Sequence, residues 1–450
     1  MTDAIADRKS APDPANPAGE PTPPVTPPKE RHRVLVSSLI GALIEWYDFY
    51  LFGIASAVVF NVLFFPDHDP LVGSLLSFLT LAIGFLARPL GGAIWGHFGD
   101  KIGRKKMLVL SIVTMGVGTF LMGLMPTYAQ IGVWAPILLM ILRLVQGVSS
   151  GGEWGGAVLM AMEHSPGKRG LASSFPQMGL TGGILVANGV FALVALMPQE
   201  DLLAWGWRIP FLASAVLVAI GLWIRLGVSE SPVFVAAQER AEKVEAEQKA
   251  PLIEVFRRPK PLILAFVLAL GPFAVSAAYL TFAASYGLQV GFTRSQMLEA
   301  SIVAAAVGVI GQPVFAIWSD HIGRRKVVGI GLVLQAFSGF LLFSQMNTGH
   351  YGGMMLAMTA ISVAHAMCYA PLAAWLGELF PTKLRYTGSS MAYQIAGSIG
   401  GGFTPAICSA LLIAAGGPPH STLIAVFVMV VSLLSVVAVL LTKETYRAEL

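Results

Sequence analysis

The sequence predicts an all-α membrane protein of twelve transmembrane helices, arranged as two similar six-helix halves, and three observations predict it. First, the chain is 55% hydrophobic and only 12% charged, with a mean hydropathy of +0.70, too apolar for a surface that faces water. Second, apolar runs of roughly 20 residues or more, long enough to cross a hydrocarbon core, recur twelve times. Third, two loop motifs repeat in the same order. GHFGDKIGRKK at 96–106 returns as AIWSDHIGRRK at 316–326, an offset of 220, and Glu163, Pro166 and Lys168 return as Glu378, Pro381 and Lys383, an offset of 215. Such a repeat implies a duplicated bundle with a binding site between its halves near the bilayer midplane.

The elements follow in order. Residues 1–33 are rich in Pro, Ala and Asp and lack the apolar core of a cleavable leader, which predicts a disordered tail. Apolar runs then fall at 34–63, 71–95, 107–125, 131–161, 171–196 and 209–228, giving a first half of 34–228. The polar stretch 229–258, with AAQERAEKVEAEQKA inside it, reads as a solvated loop joining the halves. Six further runs at 261–287, 296–318, 327–346, 352–379, 388–415 and 421–441 make a second half of 259–442, before a short terminal segment, 443–450.

Charge sets the orientation. Of the 29 Lys and Arg residues, 25 fall in the tails and alternate loops of one face, so the positive-inside rule predicts an inner-membrane protein with both termini and the central loop in the cytoplasm. The opposite loops hold Asp67, Asp69, Glu200 and Asp201. The net charge of +4 therefore reports topology and gives no reason to expect nucleic acid. Cys368 and Cys408 both lie in apolar runs, which supports neither a disulfide nor a metal site. No Walker lysine pattern follows the Gly-rich runs at 147–156 and 397–402, so no ATP-driven step and no cofactor is expected. No nucleophile–base constellation stands out either, and an enzyme is not expected.

Gly96, Asp100, Gly103, Arg104 and Lys105 compose the first loop motif, and Asp320, Gly323, Arg324 and Arg325 compose its second copy, with Ala316 in place of the first Gly. This pattern resembles the hallmark loop of the major facilitator superfamily. The resemblance implies a major facilitator fold, with acid–arginine pairs that latch helix ends on that face. Arg104 is expected to pair with Glu163 and Arg324 with Glu378; alternatively, the basic residues only enforce topology. Four more stretches, EWYDFYLFG (45–53), RPLGG (88–92), RLVQGVSSGGEWGGA (143–157) and WGWRIPF (205–211), resemble the metabolite:proton symporter family. That resemblance implies a secondary transporter, working as a monomer among membrane lipids, that carries a small organic acid or zwitterion with protons and draws on the proton gradient. The wording is most similar to shikimate-type members, although ALGPFAVSAAYLTFAASYG (269–287) lacks the charges expected of that helix there. Proton-driven efflux on the same scaffold and a non-transporting receptor are the rival readings.

An ionisable side chain in hydrocarbon costs about 2.5–3.5 kcal/mol even on insertion-based scales, which makes the few inside these helices candidates for function. Glu45 and Asp48 share a face of the first helix, and Arg143 of the fourth lies at similar depth. An ion pair between those helices is expected, either proton-coupled or static. Glu153, ten residues past Arg143 and so about 15 Å further along a straight helix, is expected near the cytoplasmic end, as gate partner, proton carrier or packing group. Arg88 precedes Pro89 and either satisfies the carbonyl freed by the proline or binds a substrate carboxylate. Arg208 either contacts substrate or anchors the interface beside Trp207. Gln146, near Arg143, is a further binding candidate. Gln177 and Gln394, at equivalent places of the repeat, either line a cavity or bond helices together. His365, with Tyr369 just beyond it, is a proton relay or a packing group.

Overall fold

The computed structural model describes residues 27–66, 70–92, 94–95, 104–163, 165, 168–226, 251–257, 259–381 and 384–447. The described residues form twelve long helices and no strand. The first six are α1 (Pro28–Leu63), α2 (Leu71–Gly92), α3 (Arg104–Leu124), α4 (Trp134–Met162), α5 (Arg169–Ala195) and α6 (Arg208–Leu226). The last six are α7 (Pro259–Gln289), α8 (Arg294–Ile322), α9 (Arg324–Asn347), α10 (Tyr351–Glu378), α11 (Arg385–Ala414) and α12 (Thr422–Leu441). Helix α1 starts at Pro28, six residues before the start expected at 34. Proline at a first helical turn lacks only an N–H that would go unpaired anyway, so the polar KERHR stretch extends the helix beyond the apolar run. Most of the central stretch 229–258 lies outside the described residues, apart from a short helix, Pro251–Arg257.

The molecule is inverted relative to a water-soluble bundle. Large apolar side chains such as Trp223, Leu356 and Ile310 point outward, whereas Glu45, Asp48, Arg88 and Arg143 are each no more than 2% exposed. Helix α1 lies along α5, and α7 along α12. The first six helices meet the last six chiefly where α5 packs on α8 and α2 on α11. Within the first six, Gly147 and Gly151 of α4 sit against the backbone carbonyls of Gly84 and Arg88 of α2, where a Cβ has no room, so these two helices touch backbone to backbone.

Several helices depart from regular α-helical hydrogen bonding along their length. Helices α1 and α7 each contain a π-helical turn, Ser56–Phe60 and Ala278–Phe282, and α11 another, Gly397–Gly402. Helix α4 is interrupted at Gly151–Gly152 before resuming at Glu153–Glu163. Such defects leave backbone groups to bond elsewhere and are enriched at functional sites.

Candidate functional site

The aromatic and acidic run of α1 supplies the core of the site. Glu45 forms an ion pair with Arg88 of α2 through Arg88 Nη2, and Arg88 Nε donates to Ser150 Oγ of α4 at 3.0 Å. The guanidinium lies over Trp46, Phe49 and Phe85, 4.4–5.1 Å from the ring centroids. Arg88 Nη1 is buried without a hydrogen-bond partner among the described residues. Two expectations are corrected here. The α1 acid that is ion-paired bonds α2 rather than Arg143 of α4, and Arg88 serves that acid rather than a carbonyl freed by Pro89. The reason is azimuthal: the close α2–α4 contact turns Arg88 toward α1, while Arg143 runs alongside Gly84, where a Cβ would stand 3.1 Å from Arg143 Nε.

Arg143 is held differently. Its Nη1 donates to Gln146 Oε1 at 2.7 Å, Gln146 Nε2 donates to Thr119 Oγ1 at 2.5 Å, and the guanidinium rests over Phe49 and Phe52 at 4.5 and 4.1 Å. Asp48 lies within electrostatic reach of Arg143 and beside Thr119. Among the described residues, neither oxygen of Asp48 accepts a hydrogen bond, and Arg143 Nε and Nη2 donate none. Asp48 and Arg143 thus face each other in the buried interior without direct bonding.

The last six helices contribute neutral groups. The hydroxyls of Tyr369 (α10) and Tyr393 (α11) share a hydrogen bond of 2.5 Å, and Trp154 of α4 stacks on the Tyr393 ring at 3.6 Å and 7°. Trp154 Nε1 donates to Gln177 Oε1, and Gln177 Nε2 donates to the Tyr369 carbonyl, both at 2.9 Å. Gln394 Nε2 donates to the Gly151 carbonyl at 2.9 Å. The two glutamines at equivalent repeat positions therefore make reciprocal bonds, each from one half to a backbone carbonyl of the other. Phe273 of α7 closes the centre, 4.8 Å from Tyr393 and 6.1 Å from Trp46. A residual cavity of about 10 Å³, bordered by Trp46, Phe49, Tyr50, Phe85 and Phe273, has room for about one water.

Glu153 is corrected in position. It is 2% exposed and acts electrostatically on Arg88, so it belongs to the central cluster and not to the end of the bundle. Arg208 stands apart. Its Nη1 donates to the carbonyls of Gly123 and Met125 at 2.9 and 2.6 Å, capping the end of α3, and its guanidinium lies 4.5 Å from the Trp207 ring. His365 sits on the face of Tyr369 at 4.9 Å with Nδ1 3.1 Å from Gln335 Nε2, while Cys368 Sγ donates to Gln335 Oε1.

At the end carrying the second loop motif, Arg324 Nη2 reaches Asp320 at 2.8 Å and Glu378 at 3.3 Å, and its Nη1 donates to Ser319 at 2.6 Å. Asp320 accepts from the backbone N–H groups of Gly170 and Leu171 at 3.0 and 3.2 Å, and Arg169 Nη1 approaches Glu378 at 3.7 Å, so α5 is tied to α8 and α10. The terminal segment joins in. Glu444 accepts from the N–H groups of Arg324 and Arg325, and Thr445 Oγ1 donates to Glu378 Oε2 at 2.7 Å. Gly323 turns the chain there at φ 104°, a left-handed value that favours glycine. Arg325 Nη2 donates to the Leu440 carbonyl of α12 at 3.2 Å. Gly96, Asp100 and Gly103 lie outside the described residues, as do the side chains of Arg104, Lys105 and Glu163, and with them the expected Arg104–Glu163 pair.

Sequence reasoning missed Trp154, Tyr393, Phe273, Thr119 and Ser150 as parts of the centre, and Glu444 and Thr445 at the end. Trp154, Ser150 and Phe273 stand inside stretches already singled out, and Tyr393 adjoins Gln394; Thr119, Glu444 and Thr445 left no signal.

Residues 34–250 match the family "Sugar (and other) transporter" and residues 297–449 match "Major Facilitator Superfamily". The chain is 38% identical over 421 residues to the shikimate transporter of Escherichia coli (strain K12), covering 92% of this chain and 95% of that one. It is 38% identical to the inner membrane metabolite transport protein YhjE of the same organism, covering 94% and 97%, and 31% identical to that organism's proline/betaine transporter, covering 92% and 83%. Among solved structures it is similar to the proton:xylose symporter XylE bound to 6-bromo-6-deoxy-D-glucose, with a TM-score of 0.74, 17% identity and coverage of 92% and 96%.

Proposed function

This chain belongs to the major facilitator superfamily, within its metabolite:proton symporter family, and from that premise we propose that it carries a small organic acid across the membrane together with a proton, by alternating access. The observation that carries this reading is the pair of unlike arginine sites side by side: Arg88 with an open donor inside an aromatic enclosure, and Arg143 facing an unbonded Asp48.

Arg88 is the substrate site. Its free Nη1 suits a carboxylate, which joins or displaces Glu45. The rings of Trp46, Phe49, Phe85 and Phe273 suit the apolar side of a small molecule, and the hydroxyls of Tyr369 and Tyr393 suit hydroxyl substituents. The guanidinium already covers the aromatic faces that a quaternary ammonium would need, which favours an acid over betaine. Asp48 is the proton site. Neutral, it needs no partner; charged, it is drawn to Arg143, and the switch between the two changes how α1 and α4 hold each other. Glu153 balances Arg88. The Arg324 network and the two glutamine bonds close one end of the path and break when it opens. The basic loops support a cytoplasmic position for that end and for both termini at an inner membrane. The proton gradient is the energy source, no cofactor takes part, and one chain suffices.

The test uses purified full-length protein. Thermal stabilisation against shikimate, α-ketoglutarate, citrate, proline and betaine selects a ligand, and proteoliposome uptake of that ligand is measured under an imposed inward proton gradient. Uptake of a carboxylic acid that rises with the gradient is expected. Proton-driven movement outward would replace symport with efflux, and binding without movement under either polarity would leave a receptor.

A further inference from the structure

On the outer face of the last six helices, α9 and α12 border a groove of about 520 Å³. Its walls are Ile330, Val333 and Leu334 from α9 and Val436 and Leu440 from α12, and Gly329 leaves its floor open, with an added Cβ making only ordinary contact at 3.6 Å to Val439. One end of this apolar channel is basic, being formed by Arg325 and Lys326. Arg325 Nη2 donates to the Leu440 carbonyl at 3.2 Å, which holds its guanidinium at the groove mouth. Lys326 is exposed, with no ion pair among the described residues. Glu444, at the same helix end, is engaged by the backbone N–H groups of Arg324 and Arg325 at 2.9 and 3.0 Å.

A channel open to the hydrocarbon region is filled by lipid chains, because water there has no polar partners. Two cations at its membrane-surface end select among lipids by headgroup charge. We propose that this groove binds one anionic phospholipid, with an acyl chain along Ile330, Leu334 and Val436 and its phosphate against Arg325 and Lys326. The site adjoins Arg324, which reaches Asp320 and Glu378, so a bound lipid steadies the first turn of α9 and with it the closed end of the path.

The experiment reconstitutes full-length protein into vesicles of mixed phosphatidylcholine and phosphatidylglycerol, extracts it in mild detergent and counts the retained lipids by native mass spectrometry. Wild type is expected to keep one phosphatidylglycerol in preference to phosphatidylcholine. R325Q/K326Q lowers that preference by roughly 30-fold, the equivalent of about 1 kcal/mol for each basic residue near an anionic surface. Gly329→Leu keeps both charges, fills the floor and displaces the lipid as well. R257Q/K260Q removes the same charge elsewhere and retains it. Equal retention of both lipids by wild type, retention by Gly329→Leu, or equal loss in R257Q/K260Q would each overturn the proposal, the last two by showing diffuse attraction in place of a groove.

Discussion

The two halves share one scaffold and divide the chemistry between them. The 222-residue offset that aligns the π-helical turn Ser56–Phe60 with Ala278–Phe282 puts Val267 and Leu270 where Glu45 and Asp48 stand. The 220-residue offset of the loop motifs likewise puts Gly308 opposite Arg88. Every ion of the centre, Glu45, Asp48, Arg88, Arg143 and Glu153, lies in the first six helices, whereas the last six face it with Phe273, Tyr369, Tyr393 and Gln394. Duplication thus supplied the architecture, and the divergence of the copies left one half charged and the other a neutral wall. In the proposed function, coupling to protons falls to the charged half and recognition of substrate shape to the contact between the two.

The comparison can be broken most severely at Arg88. Arg88→Met strands Glu45 in the interior, at a cost of about 3–5 kcal/mol, and removes ligand binding. Adding Glu45→Leu is expected to restore the melting temperature while binding stays lost; a double variant that binds would take substrate recognition away from this pair. Next comes Asp48→Asn, for which gradient-driven accumulation should fall to the level of empty liposomes while exchange of labelled for unlabelled ligand continues. Accumulation that survives would move the proton site out of the first half.

On the neutral wall the effects are smaller. Tyr393→Phe deletes one hydroxyl of the pair with Tyr369, and apparent affinity should weaken roughly fivefold, about 1 kcal/mol, with the maximal rate kept. Smallest of all is His365→Gln. Its ring contacts Gln335 and Tyr369 and no acid among the described residues, so the pH profile of uptake between about pH 5 and 8 should match wild type; a shifted profile would give the second half a share in coupling.

Much of this organisation is legible in one dimension. Hydropathy marks twelve spans because a bilayer imposes a minimum apolar length, and the repeat led to Arg324 beside Glu378 because duplicated loops share a membrane face. Depth along a helix was readable too, which is how Glu45, Asp48 and Arg143 were grouped. Rotation about the helix axis was not. Arg88 and Arg143 are equally plausible partners for α1 until the glycine contacts between α2 and α4 decide which one turns inward. Nor does the position of Glu153 along its helix reveal that it acts on Arg88 of another helix. The stack of Trp154 on Tyr393 went unread, since stacking across halves leaves no periodicity. Glu444 acts on a helix end some 120 residues away in sequence, a contact no local pattern contains.

The reciprocal glutamine bonds have a bearing on leakage. Gln177 reaches from the first half to the Tyr369 carbonyl, and Gln394 reaches back to Gly151. A rocking motion that parts the halves at this level stretches both at once, so neither can yield while the other holds the seam shut. The barrier to parting therefore behaves as a threshold: small thermal excursions are resisted by two bonds together, and under the proposed function such a seam would hold back protons between loaded cycles.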